Sequence, residues 1–184
     1  VKASNSCGVD SCYLTVTVTL NQPPVAVNPP ASVDTFMCAS AQICRQFSAS
    51  DPNGGTLTWA RLSGDGTVSA SGQWCFTPSA SGAYAVSAVV ADSCGAKDTV
   101  NMTYNITFNG APTIAFGNDS SVALCGAVSV CVPYTVSDPN NNVTLEQLTS
   151  GTGTIDTVLN KVCFTPASSG VYTFIIKATD ACGL

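Results

Sequence analysis

Residues 72–95, GQWCFTPSASGAYAVSAVVADSCG, align with residues 160–183, NKVCFTPASSGVYTFIIKATDACG, at an offset of 88 residues, and their reading decides the fold. Each stretch holds a short run and a longer run in which apolar and polar residues alternate, parted by a turn rich in Pro, Ser and Gly. Alternation with a period of two is the mark of a half-buried strand, and no 3.6-residue helical period accompanies it. The chain is therefore expected to be all-β, with near-zero helix.

Working outward, MCASAQICRQFSASDPN (37–53) aligns with LCGAVSVCVPYTVSDPN (124–140) at an offset of 87. The cysteines follow: Cys38, Cys44, Cys75 and Cys94 recur as Cys125, Cys131, Cys163 and Cys182, and Cys7 lies 87 residues before Cys94. The opening VKASNSCGV (1–9) also matches the closing IKATDACGL (176–184). The organisation expected is the end of a preceding repeat, its last strand, over 1–20, a first repeat over 21–108, and a second over 109–184 that lacks its last strand. The Pro-bearing segments NQPPVAVNPP (21–30) and FNGAPTIAFGN (108–118) mark the junctions, because Pro cannot continue a central strand.

Seven strand candidates fall in the first repeat, at 24–27, 43–50, 56–62, 66–70, 74–78, 83–91 and 98–108, which suits an Ig-like sandwich. Alternation assigns Phe47, Ala49, Trp74, Phe76, Tyr84, Val86 and Ala88 to the inside, with Tyr134, Val136, Val162, Phe164, Tyr172, Phe174 and Ile176 as counterparts. The string C-F-T-P-x-x-x-x-G-x-Y, ending in D-x-C-G and preceded by S-D-P-N, resembles the bacterial Ig-like and cadherin-like repeats of large secreted surface proteins and adhesins. The resemblance covers both repeats and implies tandem Ig-like antiparallel β-sandwiches, here disulfide-stapled, that serve as spacers, stalks or scaffolds.

Composition excludes much. Hydrophobic residues make up 45% and charged ones 9%, so the surface is polar but nearly uncharged. A net charge of −5 with six Lys and Arg leaves no basic stripe for nucleic acid or anionic lipid. No run of eighteen apolar residues suggests insertion in a membrane. The ten cysteines, with no His and no C-x2-C pair, read as disulfides rather than zinc ligands, which places the chain outside the cell or on its surface. Catalysis is not expected: the one Glu is Glu146, the Asp residues are scattered over turns, and no cysteine sits in a redox motif.

Three further site readings follow. Spacing favours disulfides 38–44 with 75–94 and 125–131 with 163–182, although the shared outward parity of Cys44 and Cys75 leaves a cross-strand 44–75 bridge open. Cys7 and Cys12, flanking GVDS, form a weaker fifth pair. Asp51, Asp92, Asp138 and Asp180 lie in loops where the resemblance implies calcium between domains, but one carboxylate per loop is too few, so they read as turn formers with no metal and no cofactor. Asn101, Asn105, Asn118 and Asn142 begin N-x-Ser/Thr sequons, so covalent glycans are an expected addition.

The function expected is a structural repeat module of an extracellular fibre, stalk or surface filament whose partners are copies of itself, head to tail. Residues 11–20 read as a last strand without a sandwich and 109–184 as a sandwich without a last strand, which suggests strand complementation. The alternative is an adhesin or carbohydrate-binding module, but Trp59 and Trp74, the only tryptophans, both read as core.

Overall fold

The computed structural model describes residues 1–119 and 121–184. Every regular element among them is a strand. In chain order these are β1 (Lys2–Asn5), β2 (Gly8–Ser11), β3 (Val25–Ala26), β4 (Ser32–Met37), β5 (Ile43–Gln46), β6 (Ala49–Ser50), β7 (Thr58–Gly64), β8 (Thr67–Val68), β9 (Gln73–Phe76), β10 (Gly82–Ala91) and β11 (Lys97–Phe108). They continue as β12 (Thr113–Phe116), β13 (Val130–Ser137), β14 (Val143–Ser150), β15 (Thr154–Asp156), β16 (Lys161–Phe164) and β17 (Ile175–Asp180). Two compact units result: Val1–Ser32 with Gln42–Phe76 and Tyr84–Thr103, and Val33–Ala41 with Thr77–Ala83 and Tyr104–Leu184.

The earlier part of the chain carries a β1–β2 hairpin, a β3–β6 pair, a β5–β9–β8 sheet and a β4–β11–β10–β7 sheet. The stretch read as one strand over 43–50 is two. At Phe47 and Ser48 the backbone leaves one sheet for another: β5 pairs with β9, Phe47 N–H donates to Gly72 O, Val27 N–H donates to Ser48 O, and β6 pairs with β3. Strand β4, absent from the sequence reading because an Asp and a Pro-bearing segment just before it obscure it, lies beside β11. Thr103 N–H donates to Ala31 O and Asn109 N–H to Met37 O, in the same order along both segments, so this pair runs parallel.

The first unit buries a row of aromatic rings: Phe47 against Trp59 at 5.7 Å and against Trp74 at 6.3 Å, Trp74 on Phe76 at 4.7 Å, and Phe76 on Tyr84 at 5.3 Å. Trp74 is fully buried, and its indole N–H donates to Asp65 O, which removes the cost of enclosing a polar atom. The second unit packs Tyr134, Val162 and Ile176 with Ile114, Val136, Leu148, Ile155 and Phe174 around them. Phe47, Trp74, Phe76, Val86, Ala88, Tyr134, Val162 and Ile176 are thus buried as alternation assigns them, while Ala49, Tyr84, Val136, Phe164, Tyr172 and Phe174 are half-buried. Tyr172 folds back so that its hydroxyl donates to Ser168 O at 2.7 Å, a tyrosine corner at the G-x-Y motif.

Candidate assembly edge

Strand β17 pairs with β14 along one side, Leu148 opposite Ile176 and Val143 opposite Asp180. Its other side makes no ladder among the described residues. Beside it opens a slot of roughly 190 Å³ lined by Ile114, Ala115, Phe116, Phe174, Ile175 and Ile176. Ile175 is 55% exposed there. In the earlier part of the chain the corresponding strand, β10, has β11 on that side, and β11 buries Val100, Met102, Tyr104 and Ile106 in alternation. Nothing among the described residues plays the part of β11 for β17.

Residues 12–20 carry the complementary feature. Counted at the 88-residue offset, Leu14, Val16 and Val18 correspond to Met102, Tyr104 and Ile106 of β11. Yet they form no ladder, and Leu14, Val16, Val18 and Leu20 are 88%, 69%, 74% and 79% exposed. Four apolar side chains at alternate positions, all exposed, have the spacing of a strand face without a sheet.

The acidic loops are tied by amides. Asn21 Nδ2 donates to Asp92 at 2.7 Å, Gln22 N–H donates to Asn53 Oδ1, and Asn53 Nδ2 reaches Leu20 O. Asn109 Nδ2 likewise donates to Asp180 at 2.6 Å, Gly110 N–H to Asn140 Oδ1, and Asn142 Nδ2 to Asn109 Oδ1. The opposite Asn142 amide orientation would serve Asp138 but set its oxygen against Asn109 Oδ1, whose own nitrogen is committed to Asp180, so it is rejected. Each carboxylate also accepts from its own turn: Asp51 from Asn53 N–H, Asp92 from Cys94 and Ala96 N–H, Asp138 from Asn140 and Asn142 N–H, and Asp180 from Cys182 and Leu184 N–H. The Asn21 amide leads in holding Asp92 below the usual carboxylate range; burial opposes it and the turn N–H groups add to it. Burial pushes Asp180 up, but Asn109 and the N–H groups of residues 182–184 outweigh it, and its carboxyl is also lowered. Among the described residues no three His, Cys, Asp or Glu groups converge as a metal site would require. Asn21 and Asn109 escaped the sequence reading; the signal was an Asn repeated at the 88-residue offset ahead of a Pro-bearing segment.

The disulfides correct the favoured pairing. Cys44 bonds Cys75 and Cys131 bonds Cys163, with Cα atoms 4.2 and 4.0 Å apart, each pair directly opposite in register. Cys38 bonds Cys182 across 144 residues, with Cα atoms 5.3 Å apart. Bridges 38–44, 75–94, 125–131 and 163–182 do not form. Cys38 follows β4 towards Asn109 while Cys44 lies in β5, so two cysteines near in sequence go to different sheets. The 7–12 pair fails for a related reason: Cys7 is in the turn of the β1–β2 hairpin and Cys12 at its open end, roughly 13 Å away at strand spacing. Cys7, Cys12, Cys94 and Cys125 are unbonded and exposed.

Of the sequons, Asn101 and Asn105 are exposed on β11, and Asn105 Nδ2 donates to Asp34. Asn118 is exposed, but its sequon ends at Ser120, outside the described residues. Asn142 is half-buried in the amide network. Trp59 and Trp74 are 6% and 0% exposed, which makes both core residues.

A family model described as a bacterial Ig domain matches residues 21–105. That stretch is similar to a bacterial Ig domain. No curated protein matches the chain in sequence. Among solved structures it is similar to the human desmocollin-1 ectodomain, at 14% identity and a TM-score of 0.41, covering 91% of this chain and 36% of that one. It is also similar to Drosophila N-cadherin EC1-4, at 15% identity and a TM-score of 0.36, covering 89% of this chain and 48% of that one. A third is SGBP-B of the Bacteroides ovatus mixed-linkage glucan utilization locus, in complex with a mixed-linkage heptasaccharide, at 17% identity and a TM-score of 0.35, covering 89% and 45%. The chain spans less than half the length of each.

Proposed function

We propose that the chain is a non-enzymatic structural module of an extracellular fibre, stalk or surface filament, joined head to tail to copies of itself by strand complementation. The observation that carries this reading is the match between an unfilled strand position beside β17 and an unhoused strand at residues 12–20. Insertion would supply β17 with a main-chain ladder and cover the slot with Leu14, Val16, Val18 and Leu20. Burial is worth roughly 1.5–3 kcal/mol for each such side chain. Association costs on the order of 4–15 kcal/mol, so the ladder is needed as well. Three disulfides support an oxidising, extracellular setting. Chemistry finds little purchase: the one Glu, Glu146, accepts from the Tyr134 hydroxyl, and the loop carboxylates are spent on turns. Glycans at Asn101 or Asn105 would add solubility to a surface with few charges.

The test is light scattering and negative-stain electron microscopy of the purified chain beside V16D/V18D and a control, T15D/T17D, on the opposite strand face. Concentration-dependent oligomers in the parent and control but not in V16D/V18D are the expected outcome. A monomeric parent at all concentrations overturns the proposal.

A further inference from the structure

The bond between Cys38 and Cys182 closes a covalent loop across a separation of 144 residues, and the bridges Cys44–Cys75 and Cys131–Cys163 both lie inside that loop. The inner two each join residues directly opposite in register, whereas Cys38 comes just after β4 and Cys182 just after β17. Asn109 holds both anchors from one place. Its N–H donates to Met37 O, one residue before Cys38, and its Nδ2 donates to Asp180, two residues before Cys182. Asp180 in turn accepts from the N–H groups of Cys182 and Leu184. The chain that leads to Cys38 holds Pro23, Pro24, Pro29 and Pro30 together with β3 and β4. Strands already span about 3.3 Å per residue and Pro-rich segments about 3.1 Å, against a limit of about 3.6 Å, so this approach stores little slack.

We propose that the Cys38–Cys182 disulfide is a mechanical bypass: tension that enters ahead of Cys38 and leaves beyond Cys182 crosses through the two sulfurs, and residues 39–181 are shielded from it. Connectivity dictates this, because the shortest covalent path between the two positions runs through their side chains rather than along the backbone that joins them. The role goes beyond joining copies, since it makes the module nearly inextensible whatever adjoins it. A partner strand gripping β17 would pull at Ile175–Asp180, close to Cys182, so the bypass also serves a strand-exchange join. The device is reducible. A thiolate attacks one sulfur, forms a mixed disulfide and releases the other as thiolate; the second thiol of a dithiol reductant then closes its own ring and frees the first cysteine, passing two electrons to the bridge. Only after that step does tension reach the inner bridges, which sets the order in which the three break under load.

The experiment is single-molecule force-clamp stretching of the full chain between handle domains at its two ends, with Cys7, Cys12, Cys94 and Cys125 alkylated beforehand so that no free thiol exchanges. With 144 of the 184 residues bypassed, the parent without reductant should extend no further than about 14 nm, at roughly 3.5 Å for each residue outside the loop. C38S/C182S, shortened only by the inner separations of 31 and 32 residues, should reach about 42 nm, a threefold gain. With dithiothreitol the parent should release about 28 nm first and then two steps of about 11 nm each. A parent that runs to the C38S/C182S length without reductant, a short step ahead of the long one, or a peptide map lacking the 38–182 pair overturns the bypass. The reductant arm uses the parent alone, so the result stands even where C38S/C182S loses its cooperative melt. Stretching one chain involves no second copy: monomers in light scattering sink the head-to-tail reading and leave the bypass standing, while a fully extensible parent that oligomerises does the reverse.

Discussion

Asp180 shows how a single carboxylate organises a loop through hydrogen bonds. It is 2% exposed and accepts from a side-chain amide and two backbone N–H groups. A folded-state pKa below the ordinary 3.8 means that Asp92 and Asp180 contribute stability fully present above that value and lost as pH falls through the lowered one. The melting temperature should therefore hold on going from pH 7 to 5 and fall below about pH 4, near the ordinary carboxylate range. D92N/D180N should flatten that acid limb in calorimetric scans. Trp74 tests the opposite kind of residue, one whose worth is packing. Trp74→Ala leaves a cavity between Phe47 and Phe76 and should cost about 3–5 kcal/mol in denaturant titrations.

At the scale of elements, disulfides and turns lock the strands into register. The 44–75 and 131–163 bridges span 31 and 32 residues, so loop-closure entropy gives each about 3.5 kcal/mol. C44A/C75A and C131A/C163A should therefore lower unfolding free energy by similar amounts. The turn between β7 and β8 depends on Gly66, whose φ is 72° and where an added Cβ would meet Cys75 O at 2.2 Å. Gly66→Ala forces the β8–β9 pairing apart and should cost more than the ~1 kcal/mol of an ordinary left-handed Gly replacement, read in the same titrations. The alternating faces of 74–76, 84–88 and 162–176 were legible in the sequence because a two-residue period leaves no choice once one face is apolar. The break at Phe47 and Ser48 was not, since a strand that changes sheets keeps its alternation while its partners change.

For the molecule as a whole, the four-stranded β4–β11–β10–β7 sheet has two strands, β11 and β4, with no counterpart beside the two-stranded β14–β17 pair. Hydrogen exchange should show the contrast: amides of Val100–Ile106 protected to near the global limit, and those of Ile175–Asp180 exchanging through local opening in dilute protein. Raising the concentration should protect Ile175–Asp180 together with residues 12–20 if strand exchange occurs. Unchanged exchange in both segments would count against it.

The sequence by itself determined the all-β class, the repeated pattern, the inward faces and the turn role of the acidic loops, because these depend on periodicity and on interactions within a few residues. Disulfide partners, the parallel placement of β4, the strand switch at Phe47 and the Asn21 and Asn109 amide ties were decided by tertiary structure. Each joins segments tens of residues or more apart, and the direction in which a strand leaves its turn, not the distance along the chain, sets which groups meet. Cys38 makes the case: Cys44 is six positions away along the chain, but Cys182 is the partner its strand delivers it to.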